Sequence, residues 1–299
     1  MKKTIVISGA NSGIGLAATR HFASGGVRVV MACRSASKAE AARSEVLAQT
    51  PKADVIVMAL DVSNLDSIRA FSELFGSQVG QWDVLINNAG IVALPLTRNG
   101  HGHEMQMATN YLGAFALSGL LLPHANMDEE SPARIVNVNS LAHRFGELSV
   151  ENLNWRAEEY NEWKAYANGK LALMNHTLEL NRRLQSLGRN VIALSAHPGF
   201  ANTNIHKGNV SFEQTGALRK WLRKQGEKIV PDAQDAVRPI IMAAESNPVL
   251  GGDYYGPGGF LEIGGKPAKA RINKKAHEEA VAGKLWAESE RLAGVSYLS

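Results

Sequence analysis

Tyr166 and Lys170 stand four residues apart in a stretch with a helical pattern, which places both on one helix face, a turn apart. A free phenol titrates near 10 and is a poor acid or base at neutral pH. An ammonium one turn away favours the phenolate and would lower that value toward the working range. The pair is common by chance, so it needs company. Ser140 follows an apolar run ending at Val138 and offers a hydroxyl that could grip a carbonyl oxygen, although a turn serine looks the same. Gly9, Gly13 and Gly15 form a Gly-x-x-x-Gly-x-Gly pattern between a β-branched run and a helical segment, with Asn11, Ser12 and Ile14 in the spacer positions. Glycines at such a junction let the backbone turn tightly and approach a diphosphate, which then rests on a helix N-terminus. A plain glycine-rich turn is the alternative, and the strand–turn–helix context favours the nucleotide.

The second strand ends at Cys33, 18 residues beyond Gly15. An acidic residue at that distance would bind ribose hydroxyls and favour NAD(H). Arg34 follows instead, with Lys38 nearby. Arginine pairs with a 2′-phosphate through a planar, charge-assisted fork, so NADP(H) is the expected preference, with NAD(H) as the weaker option. Asp61 and Val62 follow the third apolar run; Asn88, Ala89 and Gly90 follow the fourth. Ligands of open parallel sheets bind beyond the carboxyl ends of the strands. Asp61 is placed there to accept from an adenine amino group, and Gly90 to let backbone pass close to a ribose.

The elements that must hold these residues alternate. Short β-branched runs at 4–7, 27–32, 54–58, 83–86, 134–138 and 190–194 alternate with helical patterns at 14–24, 36–49, 65–79, about 104–122 and about 163–187. Near-continuous apolar strands between helices predict an α/β fold: a single-domain, Rossmann-like, doubly wound parallel sheet flanked by helices across residues 1–299. Residues 141–160, 200–230 and 250–299 read as irregular, the last including a basic C-terminal extension around 264–299.

Together these residues resemble the short-chain dehydrogenase/reductase family over about residues 4–205, in the right order. The resemblance implies a nicotinamide cofactor and a catalytic set of Asn110, Ser140, Tyr166 and Lys170. Tyr166 would exchange the proton with the substrate oxygen, Ser140 orient the carbonyl and Asn110 hold a relay water. Lys170 would bind the nicotinamide ribose and depress the tyrosine. Pro198, Gly199 and Thr203 would line the cofactor, Thr203 at the carboxamide. Ala32-Cys33-Arg34-Ser35, Leu141-Ala142-His143, His197-Pro198-Gly199 and Tyr254-Tyr255-Gly256-Pro257 look like the retinol dehydrogenase and protochlorophyllide reductase-like branch. Departures are Ser8 in place of a usual Thr, Asn139 where a Ser is frequent, and Gly169 before the lysine, which could leave room beside the cofactor. A dinucleotide-binding sensor without turnover is the alternative from another class, though it has no need of the Tyr166/Lys170 pair. A sugar-nucleotide epimerase would carry a different glycine spacing.

Composition narrows the partners. The chain has 299 residues, 45% hydrophobic and 20% charged, enough for a large core without staples. A lone cysteine, Cys33, excludes an internal disulfide framework and a cysteine-based zinc cluster. His101 and His103 lack the spacing of metal ligands, and His143 and His197 read as packing histidines. The net charge of +4 comes without aromatic–basic interleaving, so nucleic acid is not an expected partner. The first apolar run is too short for a signal peptide, and the longest, around Ala114 to Leu122, is too short to span a bilayer. These features point to a cytoplasmic enzyme for a small carbonyl or alcohol, with a homo-oligomer in keeping with the family. In 200–230, Leu218, Trp221 and Leu222 share a helical face with basic residues between them. That pattern is expected to form a lid over an apolar substrate, with an outer face that could touch anionic membrane.

Overall fold

The computed structural model of the protein describes residues 2–128, 131–199 and 232–298. Eight strands form one sheet: β1 (Thr4–Ser8), β2 (Arg28–Cys33), β3 (Asp54–Ala59), β4 (Val84–Asn87), β5 (Ala133–Val138), β6 (Val191–Ala196), β7 (Tyr254–Pro257) and β8 (Pro267–Lys269). Their order is β3-β2-β1-β4-β5-β6-β7-β8. Every neighbouring pair is parallel except β7 and β8, which run antiparallel. The chain winds outward from β1 to β3 and then returns to place β4 on the other side of β1. That reversal opens a crevice at the carboxyl ends of β1 and β4, the place where open sheets bind ligands.

The helices are α1 (Gly13–Ser24), α2 (Ala36–Gln49), α3 (Leu65–Gln78), α4 (Met105–Met107), α5 (Gly113–Leu121), α6 (Glu162–Ser186), α7 (Ala233–Ala236), α8 (Arg238–Glu245) and α9 (Glu279–Ala293). Their starts follow local chemistry. Ser35, Asn64 and Asn161 each precede a helix and accept hydrogen bonds from its first free N–H groups. Two apolar layers sandwich the sheet. One unites Val6, Leu85, Ile135, Phe71, Phe115 and Trp286 under α3, α5, α6 and α9. The other unites Ile7, Met31, Ile86, Phe22, Val46 and Ile240 under α1, α2 and α8. The side chains of β1 and β4 are buried along their whole length, which is why their sequences read as unbroken apolar runs.

Two expectations need correction. The helix expected over 104–122 is interrupted by a π-helical turn at Ala108–Leu112 between α4 and α5. The segment 250–299, expected to be irregular, holds β7, β8 and α9. Gly256, Pro257 and Pro267 mask the strands in the sequence, because both residue types are poor strand formers. β8 is only 3 residues long. The segment 200–230, with its expected lid helix and Thr203, lies outside the described residues. Among the described residues, no helix is long and apolar enough to cross a membrane.

Candidate active site

The crevice is a cavity of about 1260 Å³. Its first wall comes from the β1–α1 turn. Gly9 takes a left-handed backbone (φ 67°), which glycine alone adopts freely. Gly15 is required for a different reason: a Cβ there would lie 2.3 Å from the Gly9 carbonyl oxygen and 2.6 Å from Asn88 Nδ2. The Ser8 hydroxyl accepts from the backbone N–H groups of Asn88 and Ala89, both at 3.0 Å. Asn88 Nδ2 donates back to the Ser8 carbonyl at 2.9 Å. Ser8 therefore stitches the β1 and β4 loops together. Gly9, Asn11, Ser12, Gly13, Ile14 and Gly15 all line the cavity. With the free N–H groups of α1, they form a cradle open enough for a diphosphate.

Arg34, Asp61, Val62, Asn88, Ala89 and Gly90 line the cavity as expected. Asp61 Oδ1 is oriented by the Ser63 hydroxyl at 2.6 Å and the Ser63 N–H at 2.9 Å. Lys38 is not among the lining residues: it sits exposed in the first turn of α2, and its N–H donates to Ser35 Oγ. Cys33 is buried beside Ala10 and Asn11, and burial pushes its thiol up to about 11.

Tyr166, Ala167 and Lys170 project from α6 into the same cavity. Burial raises the Tyr166 phenol above its ordinary value, and the neighbouring Ser140 hydroxyl opposes the shift. This corrects the expectation that Lys170 would hold the phenol low. The Lys170 ammonium lies 6.0 Å from the Tyr166 ring centre and donates to the Val138 carbonyl at 2.9 Å. Burial lowers Lys170 to about 8. Ser140 caps a 3-10 turn (Leu141–Phe145) by accepting from the Ala142 N–H at 3.2 Å. Asn139, almost fully buried, lines the cavity and accepts from the Ser140 N–H at 2.8 Å; its Nδ2 is buried without a partner among the described residues.

Asn110 lies in the π-helical turn and is not itself in the cavity wall. Its amide is engaged at both ends by Ile91: Oδ1 accepts from the Ile91 N–H at 2.8 Å, and Nδ2 donates to the Ile91 carbonyl at 2.9 Å. A Cβ on Gly90 would lie 3.1 Å from Asn110 Oδ1 and 3.7 Å from Lys170 Nζ, so the bare glycine keeps the space between them open. Gly169 does not open room beside a cofactor: its Cβ position faces Asn110 Cβ and the Gln106 carbonyl at ordinary contact distances. Pro198 and Gly199 complete this side, while Thr203 lies outside the described residues.

Several wall residues carry no motif. Ile91, Leu94, Met105, Leu141, Phe145 and Trp163 form an apolar half. Trp163 lies three residues before Tyr166, and Leu141 and Phe145 follow Ser140; helical phase and adjacency are the signals by which the sequence marks them, although the motif reading does not reach them. Leu261 and Ile263 come from the loop between β7 and β8, and nothing local in the sequence marks them. His143 and His197 are packing residues: His143 Nδ1 bonds the Ser140 carbonyl at 2.7 Å, and His197 Nδ1 accepts from the Gly199 N–H at 3.1 Å. His103 bonds the Leu292 carbonyl at 3.2 Å, and among the described residues no cluster could hold a metal ion.

Comparison with known proteins agrees with this geometry. The family described as short chain dehydrogenase matches residues 3–214. Retinol dehydrogenase 13 of Homo sapiens is 36% identical over 98% of this chain and 85% of its own length. Retinol dehydrogenase 12 of Homo sapiens is 33% identical over 99% of this chain and 87% of its own length. Among solved structures, an uncharacterized protein from Mycobacterium paratuberculosis superposes with a TM-score of 0.79 at 36% identity, covering 99% of this chain and 94% of that one. YwfH, described as an NADPH dependent reductase involved in bacilysin biosynthesis, has a TM-score of 0.67 at 20% identity, a likeness of fold alone; it covers 85% of this chain and 96% of that one. The protein thus belongs to the short-chain dehydrogenase/reductase family, in its retinol dehydrogenase-like branch, and is a dehydrogenase/reductase of CH–OH and C=O groups in a family that uses NAD(P)(H).

Proposed function

We propose that this protein is an NADP(H)-dependent oxidoreductase for apolar carbonyls and alcohols. The observation that carries this reading is the cavity itself: Tyr166 and Ser140 face a space that is glycine and backbone on one side, aromatic and aliphatic on the other. The first side fits a dinucleotide. Gly9, Gly13 and Gly15 would hold its diphosphate at the N-terminus of α1, Asp61 and Val62 its adenine, and Asn88 to Gly90 with Lys170 its nicotinamide ribose. Pro198 and Gly199 would flank the nicotinamide. Bound there, the dinucleotide supplies or accepts the hydride.

The chain's own groups handle the proton. Burial keeps Tyr166 a phenol at neutral pH, so it is poised to donate to a substrate oxygen during reduction. Ser140 orients that oxygen through its hydroxyl. Lys170, brought to about 8, is cationic or neutral within the physiological range and shares the Tyr166 face of α6. Asn110 holds the Ile91 peptide, and with it the β4 loop, against α6. Arg34 lies at the β2 end of the cavity with no carboxylate at position 33, which favours a 2′-phosphate over a bare ribose. The retinol dehydrogenase relatives, by their names, act on a long apolar alcohol, and the apolar half here suits that class.

Steady-state kinetics with decanal test the reading. kcat/KM with NADPH should exceed that with NADH by roughly tenfold or more, since a charge-assisted contact of about 1.5–3 kcal/mol is at stake. Arg34→Ala should erode the difference. Equal kcat/KM for the two cofactors in the unaltered protein refutes the cofactor preference.

A further inference from the structure

Leu261 and Ile263 both line the cavity, while Glu262 between them does not. Leu261 and Glu262 adopt consecutive left-handed backbones (φ 52° and 57°). Residues with a Cβ resist that conformation, and it persists only where the surroundings impose it. The surroundings here converge on one carboxylate. Glu262 Oε2 accepts from Arg144 Nη2 at 2.6 Å and bonds His197 Nε2 at 3.1 Å. Glu262 Oε1 accepts from the Arg271 N–H at 3.4 Å, and Arg144 also donates to the Arg271 carbonyl at 3.0 Å. Burial pulls the Glu262 carboxyl up, but the hydrogen bond and charge of Arg144 outweigh it and leave it ionised. Burial lowers His197 to about 4, so its ring is neutral at physiological pH.

These partners are not remote from the chemistry. Arg144 lies in the turn that Ser140 caps and itself lines the cavity. His197 immediately precedes Pro198 and Gly199, and a Cβ on Gly199 would come within 2.3 Å of the Ile263 carbonyl oxygen. The Ser140 turn, the end of β6 and the β7–β8 loop therefore meet on Glu262. Two of these segments have other anchors: His197 N–H donates to the Tyr255 carbonyl at 2.8 Å, and Ser140 N–H to Asn139. The β7–β8 loop closes on itself through backbone bonds, Gly259 N–H to the Gly264 carbonyl at 2.9 Å and Glu262 N–H to the Gly259 carbonyl at 3.0 Å, and the Glu262 carboxylate ties that closed loop to Arg144 and His197.

We propose that Glu262 is a positioning residue for substrate selection: its clamp on Arg144 and His197 fixes Leu261 and Ile263 as the wall that carries the apolar body of the substrate. The clamp acts on the substrate wall and leaves the proton chemistry of Tyr166 untouched. This deepens the assignment of an apolar substrate and rests on it.

The test compares decanal with propanal in the unaltered protein, in Glu262→Gln and in Glu262→Gly, with NADPH. Glu262→Gln keeps the side-chain size and removes the charge. Glu262→Gly removes the clamp while relieving the left-handed backbone, so it folds even where the first variant does not. In both, KM for decanal should rise about tenfold. KM for propanal, kcat for both aldehydes and the fluorescence-measured Kd for NADPH should each stay within about twofold. Decanal preference retained in both variants overturns the clamp alone. Equal losses for both aldehydes, or a parallel loss of NADPH affinity, show a general structural pin and also overturn it. An unaltered protein that does not prefer decanal overturns the apolar-substrate assignment, and the clamp with it.

Discussion

On the β1 side of the cavity, Gly9 and Gly15 shape the wall by the Cβ they lack and Gly13 by its left-handed backbone (φ 52°), and Ser8 and Asn88 lock two neighbouring loops with bonds to backbone. On the β7 side, charged and aromatic side chains do the shaping: Arg144 and Glu262 pair, and His143 bonds both Ser140 and Asn273 across 130 residues of sequence. The first wall tolerates almost no added atoms but is indifferent to acid, since few ionisable groups build it. The second is just as tight at Gly199, Gly256 and Gly259, where an added Cβ would meet a neighbour at 2.3 Å or less, and it depends in addition on the charge state of buried rings and one carboxylate. A turn made of backbone can hold any ligand with the right diphosphate-like outline; a wall made of side chains can be retuned for a new substrate one residue at a time.

The largest effect should come where the two walls meet. Tyr166→Phe is expected to lower turnover by about 10²–10⁴-fold, the usual worth of a positioned general acid or base, with NADPH affinity nearly unchanged. Stopped-flow reduction of decanal together with fluorescence titration checks both halves of the statement. Near-normal turnover would remove Tyr166 from the chemistry.

Acid should separate the walls. His143 ordinarily titrates at 6.5, and burial lowers it to about 4 in the folded protein. Between these values the unfolded chain binds the extra proton, so stability is fully present above 6.5 and falls as pH drops toward 4. At pH 5 the loss is about 2 kcal/mol from His143, and His197 moves in the same direction. Hydrogen exchange at pH 5 should loosen 141–145 and 254–273 before 4–15. Uniform loosening would dissolve the distinction.

Gly15→Ala should strike the other wall. Its Cβ would lie 2.3 Å from a backbone oxygen, so the variant should lose about 1–3 kcal/mol in denaturant unfolding and bind NADPH more weakly. Unchanged cofactor affinity would show that the β1 wall is more yielding than its geometry implies. The smallest effect is expected of Gly169→Ala, which belongs to neither wall. Its Cβ meets only ordinary contacts in the middle of α6, so helix stability should rise by about 0.5–1 kcal/mol with kcat unchanged. A drop in kcat would mean that α6 cannot move against Asn110 without cost.

The same contrast explains what could be read from the sequence. Glycine spacing, strand-end aspartate and asparagine, and the four-residue step from Tyr166 to Lys170 are local, and each lies where the sequence places it. The α/β alternation was equally legible, because buried parallel strands announce themselves as unbroken apolar runs. The π-helical turn at Ala108–Leu112 left no mark, since it changes hydrogen bonding and not composition. Asn110 could be singled out, but not its engagement with the Ile91 peptide. The pairing of Arg144 with Glu262 spans 118 residues and β7 contains Gly256 and Pro257, so no window of sequence holds both partners or flags the strand between them. Burial raises the Tyr166 phenol where the four-residue step to Lys170 predicts the opposite, and burial is set by the fold around α6 rather than by that step.

The packing of α9 carries a consequence for how the chain reaches this state. The Trp286 ring meets Phe115, His176 and Tyr297 edge-on or tilted, Tyr297 also meets Phe115, and the Tyr297 hydroxyl donates to the Phe115 carbonyl across 182 residues. Loops that long are slow to close, and contacts of such separation form late. During synthesis, the outer faces of α5 and α6 must wait, apolar and uncovered, until residues 279–297 emerge. The interval between making the proton-handling helix and sealing its far side is therefore the period of greatest exposure to misassociation.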